Sequence, residues 1–146
     1  MGRALAAVAA LLALGFAILA VVVFATRHED RVAVDNVLAL ELTRAIGTTD
    51  EVDLGRLAGF DWDRVLVVAP GTPRAAISRA LGSEFNGDLP FGSSGPLLVF
   101  ADHKDLARFA DYRGRATFTG FERPIDELPR DRAVLRVRDL VVGPAR

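Results

Sequence analysis

Hydrophobic residues are distributed unevenly along the chain. Residues Ala4 to Ala25 form an uninterrupted run of 22 residues without charge, in which Gly15 alone lies outside the hydrophobic set. As a helix this run would be about 33 Å long, enough to cross a hydrocarbon core of about 30 Å. The pattern predicts an N-terminal transmembrane helix. Residues 1–27 are then a membrane anchor, and residues 28–146 are a single small domain.

A cleaved signal peptide is the alternative for this segment. Val23-Phe24-Ala25 has the small residues of a cleavage site. However, the apolar region of a signal peptide spans about 7–15 residues, so the length favours a retained signal-anchor. Both interpretations send the rest of the chain out of the cytoplasm. We therefore expect a single-pass protein of the cell membrane with its C-terminal domain outside.

Helical spacing of apolar residues occurs twice after the anchor. The first helix is predicted over about 32–46, from Val34, Val37, Leu38, Ala45 and Ile46. Gly47 is expected to follow its end, as glycine often does. Thr72 followed by Pro73 is typical of an N-cap and the first residue of a second helix, which Gly82 ends.

Apolar and β-branched runs predict the strands. They lie at residues 64–69, 97–101, 106–112 and 134–142, with a short one at 117–121. The first two are apolar on both faces, as buried strands are. The third follows a hairpin turn at 102–105, although a helix capped by Asp102 also fits its spacing. Residues 48–59 are expected to be a loop or a short helix. The fold is α+β, with a sheet of about four strands and helices on one face.

Composition narrows the class of protein. The chain has 18 basic and 19 acidic side chains, so its net charge is −1. This balance excludes a wholly disordered chain and a basic nucleic-acid-binding arm. Because there is no cysteine, a disulfide framework, a thiolate metal site and a lipid-modified cysteine are also excluded. Seventeen of the 18 basic residues are arginine and alanine is abundant, which indicates a GC-rich bacterial genome.

The candidate binding residues lie around the first strand. Asp61 and Asp63 flank Trp62 directly before it, and carboxylates two residues apart on an extended segment point the same way. Such a pair suits a hard cation or acid/base chemistry. The structural interpretation, which we favour, has these aspartates capping backbone amides while Trp62 packs and its N–H reaches a loop carbonyl. Thr72 and Arg74 join the candidates because a helix N-terminus can bind an anion.

A hydrolase is the alternative function. Ser93 and Ser94 precede a strand and lack the G-x-S-x-G elbow, so they are expected to be turn residues. A metal-dependent or acid/base mechanism would use Asp61, Asp63 and His103. The chain has only two histidines and no H-E-x-x-H motif, so a zinc site would need carboxylate ligands.

One segment resembles a known family. Phe60-Asp61-Trp62-Asp63, followed by a strand, Pro70, a Thr72-capped helix and Gly82, resembles small bacterial membrane- or lipid-anchored proteins. The resemblance covers about residues 60–142 and implies a location and a fold but no chemistry. This chain differs in having no cysteine, and in having Gly71 where an aromatic residue would follow Pro70.

These expectations combine into one function. The chain is predicted to be a membrane-tethered, extracytoplasmic module of a bacterial envelope that binds and does not catalyse. Its expected partners are membrane lipid, through the N-terminal helix, and another envelope protein. Neither a cofactor nor a nucleic acid is expected.

Overall fold

Short helices and strands follow one another through residues 32–89 and 94–145, the part of the chain that the computed structural model describes. In chain order the elements are α1 (Asn36–Thr48), β1 (Glu51–Asp53), α2 (Leu54–Leu57), β2 (Arg64–Val68), α3 (Arg74–Leu81), β3 (Leu97–Asp102), β4 (Asp105–Asp111), β5 (Thr117–Phe118), β6 (Ile125–Pro129), a 3-10 helix (Arg130–Arg132), β7 (Val134–Arg138) and β8 (Val141–Pro144). The predicted α+β class is confirmed, and residues 105–111 form a strand, not a helix.

The strands form two sheets of four, where the sequence predicted one. The central sheet has the antiparallel order β4-β3-β2-β6, and the second sheet has the order β1-β7-β8-β5. The difference has a local cause. The strand predicted at 134–142 is two strands, because Asp139 and Leu140 both adopt left-handed backbone and reverse the chain. In addition, β1 lies in the segment predicted as a loop or short helix.

The central sheet is covered on both faces. Val65 and Val67 of β2 belong to one apolar cluster with α1 and the second sheet, whereas Leu66 and Val68 belong to another with α3. The prediction of helices on one face is therefore wrong. Because β2 and β3 are apolar on both faces, each face must be covered, and one layer of helices cannot cover both.

Helix α1 begins at Asn36, later than the predicted start at about residue 32. Asp35 is its N-cap and accepts a hydrogen bond from the Leu38 N–H at 2.9 Å. The helix runs to Thr48, so Gly47 lies inside it instead of after it. Its buried side chains are Leu38, Leu42 and Ile46. Leu38 and Ile46 were predicted for the apolar face, whereas Val37, also predicted there, is 68% exposed and Val34 precedes the helix.

Helix α3 corrects one predicted cap and confirms its end. Thr72 does not cap the helix: its hydroxyl donates to the Ala69 carbonyl at 2.6 Å. Pro73 takes the N-cap position and makes no side-chain hydrogen bond there, because its ring has no polar atom to accept one. Gly82 ends the helix in left-handed backbone with φ 84°, as predicted.

Several predictions fall on residues that the structure does not describe. The predicted anchor, the alternative cleavage site, His28 and Ser93 all lie outside 32–89 and 94–145. Across those two ranges, no helix has the length and hydropathy needed to span a bilayer. The anchor and the domain boundary after residue 27 stay predictions.

Candidate functional site

Polar side chains gather where β2 begins and β3 ends. Because β2 and β3 are antiparallel, Arg64 pairs with Ala101, which brings Asp63 beside the β3–β4 turn. The Asp63 N–H donates to the Ala101 carbonyl at 2.8 Å, and Asp63 Oδ2 accepts the His103 N–H at 2.9 Å. We call Asp63, Arg64, Asp102 and His103 the hairpin end.

The His103 imidazole faces two carboxylates. Its Nδ1 lies 2.9 Å from Asp102 Oδ1 and 4.0 Å from Asp63 Oδ2. The hydrogen bond and charge of Asp102, followed by the charge of Asp63, raise the pKa of His103 above its ordinary value. All three side chains are exposed to solvent. This arrangement can hold a proton or a cation between carboxylates at the protein surface.

Arg64 joins three segments at the hairpin end. Its Nη2 donates to the Leu81 carbonyl at the end of α3 at 2.8 Å, and its Nη1 donates to the His103 carbonyl. Weaker ion pairs run to Asp63 Oδ1 at 3.4 Å and Glu127 Oε1 at 3.7 Å. Because its nearest hydrogen bonds go to backbone carbonyls, Arg64 has a structural role.

Trp62 is buried beneath the hairpin end. Only 3% of the residue is exposed, and its ring meets Phe100 edge-on at 5.0 Å. The Arg130 guanidinium lies 5.2 Å from the ring centroid and donates to the Trp62 carbonyl at 3.2 Å. The burial agrees with the structural interpretation. The indole N–H, however, finds no hydrogen-bond partner among the described residues, so the expected loop carbonyl does not reach it.

The predicted site residues do not form one site. Asp61 is exposed and stands outside the group of metal-ligating side chains, in which Asp102 joins Asp63 and His103 instead. Arg74 donates to the Phe85 carbonyl at 2.7 Å and its guanidinium lies 5.5 Å from the Phe85 ring centroid, so it fastens the loop after α3. Thr72 lines a small cavity of about 180 Å³ at the opposite end of β2.

A larger cavity lies where β2 ends and β3 begins. Its volume is about 330 Å³, and we call this region the cavity end. Its walls are Val67, Ala69, Pro70, Ser94, Gly95, Pro96, Ala116, Thr117, Phe118, Thr119, Gly120, Phe121, Glu122 and Arg123. Most of these residues are apolar or glycine, with one acidic and one basic side chain. That composition suits an organic or peptide ligand more than an ion.

Ring contacts and hydrogen bonds shape the wall of this cavity. Phe118 lies 5.0 Å from Tyr112 and 5.8 Å from Phe121, measured between ring centroids. The Tyr112 hydroxyl accepts the Ala116 N–H at 3.1 Å. The wall is hard to predict from the sequence because its residues come from three separate segments of the chain. The alternation Thr117-Phe118-Thr119, which predicts only a short strand, is the available signal.

Comparison with known proteins identifies no relative. No protein-family model, no curated protein and no solved structure matches the chain. The geometry of the two ends and the sequence pattern are therefore the grounds for assigning a function.

Proposed function

We propose that the chain is a membrane-tethered, extracytoplasmic binding module of a bacterial envelope. Its cavity end would receive an apolar segment of another envelope protein. The observation that carries this proposal is the cavity of about 330 Å³ with its half-buried aromatic wall. Ligand pockets typically have volumes of about 300–1,000 Å³ and mostly apolar linings with a few polar groups.

The wall offers both side-chain and main-chain contacts to such a segment. Strand β5 is an edge strand, bonded to β8 through the N–H groups of Thr117 and Thr119. Because successive residues of a strand direct their backbone groups to opposite sides, those of Phe118 face away from β8. An extended peptide can pair with an exposed edge and place a side chain in the adjacent pocket. Glu122 and Arg123 would bind polar groups at the rim.

The N-terminal sequence supports the tether. The run of 22 uncharged residues matches the length of a transmembrane helix and exceeds that of a signal-peptide core. Membrane lipid is then the first partner, and the domain lies outside the cytoplasm. Alkaline washing of membranes tests this part: the full chain should stay in the pellet with its N-terminus intact. A mature product that begins at Thr26 would contradict the tether.

Site-specific photo-crosslinking in cells tests the binding site. A photoreactive residue at Thr119, which lines the cavity, should give a discrete adduct with an envelope protein, and the same residue at exposed Arg79 should not. Thr117→Trp, which fills the cavity, should abolish the adduct, whereas Arg79→Trp should leave it unchanged. Equal crosslinking from both positions, or an adduct that survives Thr117→Trp, would contradict the proposal.

The hydrolase alternative is the weaker proposal. It needs Asp61, Asp63 and His103 around one substrate atom. Asp63 and His103 lie together, but Asp61 is not part of their group. The three residues proposed for catalysis therefore lack the common geometry that the reaction would require.

A further inference from the structure

The hairpin end brings together three side chains that can ligate a metal. Asp63 comes from the residue before β2, and Asp102 and His103 come from the end of β3 and the turn after it. One donor atom from each residue lies within 4.8 Å of the other two. We propose that Asp63, Asp102 and His103 bind a divalent transition-metal ion, for which Zn²⁺ is the test ion. This proposal is independent of the binding module at the cavity end.

The distances suit one shared ion. Two donors that bind the same Zn²⁺ at 2.0–2.2 Å are at most about 4.4 Å apart. His103 Nδ1 meets this limit with both carboxylates, at 2.9 Å from Asp102 Oδ1 and 4.0 Å from Asp63 Oδ2. The two carboxylate oxygens lie within 4.8 Å of each other, so a shift of about 0.4 Å brings them within the same limit.

A backbone hydrogen bond holds one of the ligands, Asp63, in place before an ion arrives. The His103 N–H donates to Asp63 Oδ2 at 2.9 Å, which fixes the Asp63 side chain against the turn. His103 itself has left-handed backbone, with φ 57°, in the two-residue turn between β3 and β4. Fixing a mobile side chain on binding costs conformational entropy, and this loss is smaller when the side chain is already held in place.

Arg64 does not block the site. Its Nη1 lies 3.4 Å from Asp63 Oδ1, but its hydrogen bonds to the Leu81 and His103 carbonyls hold it independently of that carboxylate. Each carboxylate oxygen has two lone pairs, so Asp63 Oδ2 keeps one for a metal while it accepts the His103 N–H. Two carboxylates and a neutral imidazole then supply two negative charges.

The donor set favours transition metals over alkaline-earth ions. An imidazole nitrogen suits Zn²⁺, Cu²⁺ or Ni²⁺, whereas Mg²⁺ and Ca²⁺ prefer oxygen ligands alone. Three protein ligands leave a coordination position for water at an exposed site. We therefore expect Zn²⁺ to bind and Mg²⁺ to bind much more weakly.

Calorimetric titration of Zn²⁺ into the untagged full chain in detergent, after removal of metals, tests the proposal. We expect one ion per chain, and at least a roughly tenfold increase in Kd for His103→Asn and for Asp102→Asn, since even outer partners of metal ligands change affinity by 10–100-fold. Asparagine tolerates the left-handed backbone at position 103. Asp105→Asn, which changes a neighbouring exposed acid outside the triad, is the matched control and should leave Kd unchanged.

Four results would overturn the site. They are the absence of saturable Zn²⁺ binding, full affinity in His103→Asn or Asp102→Asn, equal affinity for Mg²⁺, and loss of binding in His28→Asn, which would assign the ion to the other histidine. Circular dichroism checks that each variant folds. If His103→Asn does not fold, Asp102→Asn carries the same test, because it alters only an exposed carboxylate.

Discussion

The two ends of the β2–β3 pair are built in different ways. At the hairpin end, side chains bind backbone groups: Asp63 accepts the His103 N–H, and Arg64 donates to two carbonyls. At the cavity end, aromatic rings contact one another, as Phe118 and Tyr112 do, and the backbone at Gly95 and Gly114 passes close to Tyr112. One end is a group of exposed charged side chains, and the other is a cavity with aromatic rings and a few polar side chains in its wall.

The contrast between the two ends shows which part of this fold contains charged side chains and which part contains a cavity. The sequence motif Asp61-Trp62-Asp63 directly precedes β2, and its Asp63 binds the turn between β3 and β4. The segment that forms most of the cavity wall, residues 116–123, carries charge only at Glu122 and Arg123 and leaves space beside it. The hairpin end is thus suited to an ion and the cavity end to an organic group.

The largest expected effect compares an aromatic residue at each end. Trp62→Ala should reduce the free energy of unfolding by about 3–5 kcal/mol, because a fully buried aromatic ring leaves a cavity when it is removed. Phe121→Ala should cost less, since Phe121 is only half-buried in the cavity wall. Urea denaturation followed by circular dichroism measures both, because Trp62 is the only tryptophan and cannot report on its own removal.

Asp61→Ala is the control for the Trp62 measurement. This exposed neighbour should change stability by no more than about 0.5 kcal/mol. If Phe121→Ala reduced the free energy of unfolding as much as Trp62→Ala, the proposed difference between the two ends would be wrong. The cavity wall would then be part of the core and not a surface kept open for a ligand.

The next effect tests whether the cavity wall is rigid. A Cβ at Gly95 would lie 2.0 Å from the Tyr112 carbonyl oxygen, and backbone atoms cannot move aside as a flexible side chain can. We expect Gly95→Ala to destabilise the protein by about 1–3 kcal/mol, the usual range for overpacking. Thermal unfolding followed by circular dichroism measures this change.

Gly47→Ala is the matched control for Gly95→Ala. Gly47 lies inside α1, and no atom lies within 4 Å of the place where its Cβ would be, so alanine there should stabilise the protein by about 0.5–1 kcal/mol. A neutral Gly95→Ala would mean that the wall adjusts easily. The cavity end would then not be a space with fixed walls.

The core strands and the helix periods could be predicted from the sequence because their signals are local. β2 and β3 are runs of apolar residues on both faces, and α1 buries residues at helical spacing. The second sheet could not be predicted in the same way. Its turn places Leu140 in left-handed backbone, an unusual conformation for leucine, and β5 pairs in parallel with a strand far along the chain.

The candidate sites depend on contacts that are distant in sequence. Asp63 and His103 are 40 residues apart, and only the pairing of β2 with β3 brings them together. Both residues can be named from the sequence, but the sequence pattern pairs Asp63 with Asp61, because alternation on an extended segment is a local rule. The same pattern indicates only a cap or a turn residue at Asp102. The cavity could not be predicted, because apolar residues that enclose a space look like core residues in a sequence.

The smallest expected effect concerns the charge at the hairpin end. In the metal-free protein, the pKa of His103 should lie above about 6.5, the ordinary value for histidine, because Asp102 and then Asp63 favour the imidazolium. Asp102→Asn should lower this pKa towards 6.5, whereas Glu122→Gln at the cavity rim should leave it unchanged. The pH dependence of the imidazole proton shifts in NMR spectra measures each value, with His103→Asn to assign the signal.

The direction of the shift also fixes how this histidine affects stability. A pKa that is higher in the folded protein than in the unfolded chain means that protonated His103 stabilises the fold. That contribution is fully present below about pH 6.5 and is lost as the pH rises through the higher folded value. Since the imidazole is fully exposed, the change in stability should be small, and the pKa itself is the sensitive measurement. If the pKa of His103 were unshifted, or if Glu122→Gln lowered it as much as Asp102→Asn, the carboxylates at the hairpin end would not act on His103 specifically. The proposed electrostatic difference between the two ends would then be wrong.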